Sequence, residues 1–172
     1  GAVTVWFESG KIQLTGVFNL GEGMITTWFE NGQKKNRGIF INKVTGDSYY
    51  KGLFTSWYQN GQKEEEGSYK DDALNGNWTY WFDNGNIKKQ GNYINNNKEG
   101  KWIYWHEGGE KERESTFIND EANGISTGWH KNGKKSYIHF YKNGKYDGIW
   151  QDWDKYGKRT SYQRYENGVK KS

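Results

Sequence analysis

Along most of the chain, aromatic or β-branched residues alternate with polar ones over short runs, and each run is closed by Asn-Gly or a related pair. Period-two alternation is the mark of a β-strand with two unlike faces, and Asn-Gly between two such runs is the strongest short-range signal for a hairpin. The stretch Trp78-Thr79-Tyr80-Trp81-Phe82-Asp83-Asn84-Gly85, followed by Ile87 to Tyr93, shows the pattern clearly. Its pentapeptide Trp81-Phe82-Asp83-Asn84-Gly85 has counterparts beginning at Trp6, Trp28, Trp57, Trp105, Trp129 and Trp153. Successive Trp residues are 22, 29, 24, 24, 24 and 24 positions apart. A fixed period outranks local signals in deciding a fold. The spacing therefore predicts an all-β protein: seven tandem hairpins, about fourteen strands, in an elongated single-layer antiparallel meander that twists or curves as a ribbon. The array fills residues 1–172 as one domain, with units 1–22, 23–51, 52–75, 76–99, 100–123, 124–147 and 148–172.

Three further columns accompany the Trp. A Gly stands five residues before it and another four after it, in the turn, while an aromatic residue stands twelve after it, from Phe18 to Tyr165. Read as a two-residue type I′ loop, Asn84-Gly85 sets Trp81 opposite Lys88, Trp78 opposite Gly91 and Gly76 opposite Tyr93. Each strand glycine then lies across from a large ring that can cover its bare backbone. A three-residue loop with a Gly bulge would shift this register by one. Hairpins are expected to be joined by six-residue connections such as Lys70 to Asn75. The connection after Phe18 is two residues shorter than this and that after Phe40, Ile41 to Lys51, is five residues longer. Alternation puts the pentapeptide Trp column on one face. The more aromatic face carries Phe54, Trp78, Tyr80, Phe82, Tyr93, Trp102, Tyr104, Phe117 and Trp150, and these are the candidate binding residues.

Composition narrows the function classes. The 172 residues hold 18% aromatic residues, 24 Gly, no Pro and no Cys. So many rings argue for folding rather than disorder, and the lack of Cys excludes disulfides and thiol chemistry. No apolar run approaches the length of a transmembrane helix. The net charge of +4 is uneven, since residues 131–172 hold 11 Lys or Arg against 4 Asp or Glu. That permits a polyanion contact near the C-terminus, although a solvated surface is the plainer explanation. The first residue is Gly1 at the start of a repeat, which suggests either a piece cut for expression or a mature form whose leader is missing.

The motif Gly-x-Trp-x-x-Trp-Phe-x-Asn-Gly, then a Lys-rich strand and Gly-x-Tyr, is carried best by Gly76 to Gly85 with Gly91-Asn92-Tyr93. It resembles the bacterial variant of the MORN repeat, over essentially the whole chain. The resemblance implies a ribbon of β-hairpins serving as a binding or assembly scaffold, with antitoxin and exported members among the bacterial ones. Ser115, His139 and Gln163 depart from the pattern where a second strand glycine is expected, as does Asp154 where an aromatic residue should follow the Trp.

No catalytic constellation is apparent: neither a P-loop, nor a nucleophile elbow, nor a dinucleotide fingerprint occurs. His106 and His130 stand at equivalent positions, but two His without a third ligand make a poor metal site, and they are read as replacements for Phe82-type rings. Neither a cofactor nor a metal is expected. The expected function is a non-enzymatic scaffold that binds a protein partner through its aromatic face, centred on Trp78, Tyr80, Trp102 and Tyr104. The alternatives are a carbohydrate or cell-wall binding module, and an antitoxin or immunity partner. Membrane lipid and nucleic acid are disfavoured as ligands, while end-to-end self-association through the ribbon edges is expected. A secreted or cell-surface location is favoured over the cytoplasm.

Overall fold

Two kinds of tight turn, alternating along the chain, set where most of the described strands begin and end. In a computed structural model, which describes residues 1–42 and 48–172, the protein is all-β, without a helix among the described residues. It divides into two compact units, Gly1–Gly85 and Asn86–Ser172. In the first, β1 (Ala2–Trp6), β2 (Ile12–Asn19), β3 (Glu22–Trp28), β4 (Lys34–Asn42), β5 (Ser48–Trp57), β6 (Lys63–Lys70) and β7 (Ala73–Trp81) lie side by side in chain order, antiparallel throughout. In the second, β8 (Ile87–Ile94), β9 (Asn97–Trp105), β10 (Lys111–Ile118), β12 (Gly124–Trp129), β13 (Lys135–Lys142), β14 (Lys145–Trp153), β15 (Arg159–Glu166) and β16 (Val169–Lys171) do the same, and β11 (Glu121–Ala122) pairs with β10 alone. The described strands exceed the expected fourteen for two reasons. A break before Gly124 splits off β11, and the basic C-terminal residues form β16, in which Lys171 pairs with Glu166 at 2.8 Å.

The pentapeptide turns are not type I′. In each, one glycine alone has positive φ, as at Gly85 (87°). Phe29 N donates to Gln33 O (2.8 Å) and Gly32 N to Phe29 O (2.9 Å), and the other tips repeat this pattern. That is a three-residue loop, a type I turn followed by a left-handed bulge residue. The bulge slides the register by one at the tip, so Trp57 pairs with Lys63 and Trp105 with Lys111. It also accommodates Tyr156, because only the Gly after it must be left-handed.

Type I′ turns occur instead between the hairpins. Asp71 and Asp72 (φ 51° and 66°), Asn95 and Asn96 (49° and 70°) and Asn143 and Gly144 (50° and 72°) are consecutive left-handed pairs. Short Asn and Asp side chains tolerate this conformation by bonding locally. The expected six-residue connections are thus two-residue turns: Lys70 pairs with Ala73 and Ile94 with Asn97. The strands absorb the difference through bulges. Between β8 and β9 the pairing steps from Gln90–Ile103 to Asn92–Glu99, leaving two extra residues on β9 around Gly100, whose φ is 71°. Between β2 and β3, where the repeat is two residues short, the ladder from Leu14–Thr27 to Asn19–Glu22 is unbroken. The short spacing is a missing bulge. Part of the long connection after Phe40 lies outside the described residues.

The strand glycines therefore have separate roles. Gly52 pairs with Tyr69 and Gly100 with Phe117 as the register requires, yet a Cβ at Gly100 would meet nothing within 4 Å. The expected ring cover is absent there, because this column serves the left-handed bulge. The second column is covered, but by the next hairpin: the Trp78 ring lies on Gly67 and the Trp102 ring on Gly91.

Candidate functional site

Packing on the aromatic face is built from one repeated contact. In three copies the residue three before the pentapeptide Trp is itself a Trp, which packs on the preceding strand, over a glycine at Trp78 and Trp102, and whose indole N–H reaches the next carbonyl. Trp78 Nε1 donates to Ser68 O (3.1 Å), Trp102 Nε1 to Asn92 O (3.1 Å) and Trp150 Nε1 to Phe140 O (2.9 Å). Where the preceding residue changes, so does its partner. Ser115 meets Ser126 through a buried 2.6 Å hydrogen bond, and the His139 imidazole stacks on Trp150 at 3.8 Å while its Nε2 meets Asp152 Oδ1 at 2.8 Å. The departures at Ser115 and His139 are thus matched substitutions rather than lost contacts.

This packing turns the candidate binding residues inward. In the first unit Phe54 and Trp78 are buried, Trp78 to 1% exposure, with Tyr69 edge-on to Trp78 (5.2 Å) and Tyr80 stacked beside it (5.9 Å). In the second unit Trp102 is 0% exposed. Tyr93 stands edge-on to it at 4.8 Å, Tyr104 lies at 6.2 Å, and the Lys98 ammonium sits 5.3 Å from the Trp102 ring and 5.0 Å from Phe117. Trp150 joins Tyr146 and Tyr165 in a separate cluster. Phe82 lies in a hairpin tip, its carbonyl accepting from Gly85 N (3.0 Å). Trp78 and Trp102, which alternation alone made the centre of a contact surface, are interior residues with no surface to offer.

Burial also sets the alkaline limit of the fold. The Tyr69 hydroxyl is pushed up to about 12 by burial first, then by the carboxylates of Glu65 and Asp72 and by Tyr50. Burial likewise raises Tyr50 and Tyr141. A phenol that resists ionisation in the fold but ionises near pH 10 when unfolded contributes stability that is complete below pH 10 and is lost as pH rises toward 12. After allowance for solvent screening the loss is on the order of 1–2 kcal/mol for Tyr69. Urea midpoints should hold steady up to pH 9 and fall between pH 10 and 12, with a smaller fall in Tyr69→Phe.

The opposite face carries several exposed large apolar residues. In the second unit Ile125 pairs with Phe140, Ile138 with Gln151 and Gln151 with Tyr162 across β12 to β15. Ile125 is 59% and Tyr162 56% exposed, with Phe140 and Ile149 exposed beside them. In the first unit Val17, Met24 and Leu53 are exposed in the same column. Val17 and Met24 help line a cleft of ≈ 390 Å³ with Thr4, Thr15, Thr26, Trp28 and Arg37. The pentapeptide Trp column shares this face, with Lys34 over Trp57 (5.9 Å), Lys63 over Trp81 (5.4 Å) and Lys111 over Trp129 (5.2 Å). These apolar positions escaped notice because rings were weighed above aliphatics. Their signal was a column one residue after the repeat glycine, apolar at Met24, Leu53, Ile125 and Ile149 and polar at Asn77 and Lys101.

Hairpin tips are stapled to their neighbours. Asn60 Nδ2 donates to Asp83 O (2.6 Å) and Asn132 Nδ2 to Lys155 O (2.7 Å), while each Asn Oδ1 accepts from the amide two residues on. Tyr58 OH donates to Trp81 O (2.8 Å), and His106 and His130 place Nε2 against Trp129 O (3.2 Å) and Trp153 O (2.8 Å). A carbonyl can only accept, so both imidazoles carry the proton on Nε2 and act as staples.

The MORN repeat variant family model matches residues 50–71, 74–95, 98–119 and 122–145. More than half of the chain is matched, and the chain belongs to this family. MORN repeats are generally associated with repeat scaffolds that bind proteins or membranes. A search of curated proteins finds no match to the chain.

Proposed function

We propose that the protein is a non-enzymatic repeat scaffold that binds a protein partner, and that the contact lies on the face away from the buried rings. The carrying observation is the exposed apolar group Ile125, Phe140, Ile149 and Tyr162, contributed by four neighbouring strands. An isolated exposed aliphatic residue needs no explanation, but a contiguous patch of them on a rigid sheet favours an interface. The burial of Trp78 and Trp102 weighs against the sugar-stacking reading, which needs open rings. In an affinity capture with the whole chain as bait, Ile125→Ser with Phe140→Ser should lose specific partners while the melting curve stays within a few degrees of the parent. Capture of the same partners at the same yield by this folded double variant would remove the patch from consideration.

A further inference from the structure

Six of the eleven basic residues of the C-terminal stretch 131–172 form pairs 24 positions apart in sequence, and the fold gathers them at two adjoining hairpin tips. The tip between β12 and β13 carries Lys131, Lys134 and Lys135, and that between β14 and β15 carries Lys155, Lys158 and Arg159, all exposed. Three contacts lock the tips together: Asn132 Nδ2 to Lys155 O (2.7 Å), Lys134 Nζ to Tyr156 O (2.8 Å) and His130 Nε2 against Trp153 O (2.8 Å). None of the six cations forms an ion pair among the described residues. The carboxylate within the pair of tips, Asp154, is turned to its own loop, its Oδ1 accepting from Tyr156 N and Lys158 N at 2.9 Å each. The next tip carries Glu107 and Glu110 beside Lys111, and so lacks the excess of positive charge.

An aromatic ring stands open among these charges. Tyr156 is 74% exposed, with the Lys155 ammonium 5.3 Å from its ring. Uncompensated cations beside an open ring suit a strand of phosphates with unstacked bases, since the cations meet the backbone and the ring takes a base face. We propose that these two tips form a binding site for single-stranded nucleic acid, with Lys131, Lys155 and Lys158 meeting phosphates and Tyr156 stacking on a base. A duplex hides its base faces and offers the ring nothing, and an acidic peptide would use the lysines alone. This site is separate from the apolar patch, so either can fail without the other.

The test is fluorescence anisotropy with the full chain and labelled twelve-residue oligothymidine and oligouridine, which separate DNA from RNA. A twelve-residue oligoglutamate and a duplex of the same length serve as comparisons. Binding should be in the micromolar range at 50 mM salt and should weaken tenfold or more by 200 mM, as release of counterions from phosphates requires. Lys131→Glu with Lys155→Glu and Lys158→Glu should abolish it. Tyr156→Ala should weaken the oligonucleotides about tenfold and leave oligoglutamate unchanged, circular dichroism confirming that both variants fold. Absence of oligonucleotide binding at 50 mM salt, full binding by the triple variant, or indifference to Tyr156→Ala would each overturn the site. In the last case equal affinity for oligoglutamate would mark an acidic protein contact instead.

Discussion

Trp102→Ala should cost about 3–5 kcal/mol of folding stability, the range for removing a large ring from a packed interior. Total stability in a domain of this size is about 5–15 kcal/mol, so the loss takes a large share of it. The rings and backbone around it are poorly placed to collapse into the space. One side of the ring is the backbone of Gly91, and the others are Tyr93 and Tyr104, held by their own strands. The change also leaves Asn92 O without its indole donor. In arrays stabilised by nearest neighbours, damage at one hairpin spreads to those beside it. The urea transition should therefore broaden as well as shift. Trp6, 58% exposed, is the control, and Trp6→Ala should cost well under 1 kcal/mol. Equal effects from the two substitutions would show that the ring layer is not the core.

Gly91→Ala should be nearly as harmful, at about 2–3 kcal/mol, for the opposite reason. Its Cβ would stand 2.2 Å from Trp102 Cδ2 and 2.3 Å from Cε2. A fused ring pinned by a hydrogen bond cannot bend aside as a flexible side chain would. The two residues are one contact, so their effects should couple strongly in a double-mutant cycle: with Trp102 already Ala, adding Gly91→Ala should cost close to nothing. Gly100→Ala separates this clash from backbone strain. Its Cβ meets open space, but its φ of 71° costs a residue with a side chain about 1–2 kcal/mol, and that cost should be the same with or without Trp102. Denaturation midpoints of the four combinations decide the matter. Additive costs for Gly91 and Trp102 would refute the ring-on-glycine contact.

Much of the fold was legible because its signals are local. Alternation put Trp78 beside Tyr80 and Trp102 beside Tyr104, as the structure has them, and the Asn-Gly pairs located the hairpin tips, since both depend on residues within a few positions. The kind of turn was harder to read. Asn84-Gly85 looked like a type I′ pair, whereas the true pairs, Asp71-Asp72 and Asn95-Asn96, carry no Gly and depend on Asn and Asp bearing a left-handed backbone. The two-residue deletion after Phe18 was visible from spacing. That it removes a bulge follows only from comparing its unbroken ladder with the stepped ones.

Burial required contacts about 11 residues apart, from one hairpin to the next. Nothing within the run Gly-Asn-Trp or Gly-Lys-Trp says whether the indole faces solvent. Trp78 and Trp102 are interior because the strand laid down before each carries a glycine at the same level, low enough for an aromatic plane to rest on. Repetition and alternation settled how many hairpins there are and which side each ring takes, for these follow from short-range backbone geometry. Pairing of neighbouring hairpins settled which rings became core, which aliphatic residues remained in water, and which lysines came to share a tip. Each of those outcomes depends on the size and charge of a side chain one repeat away.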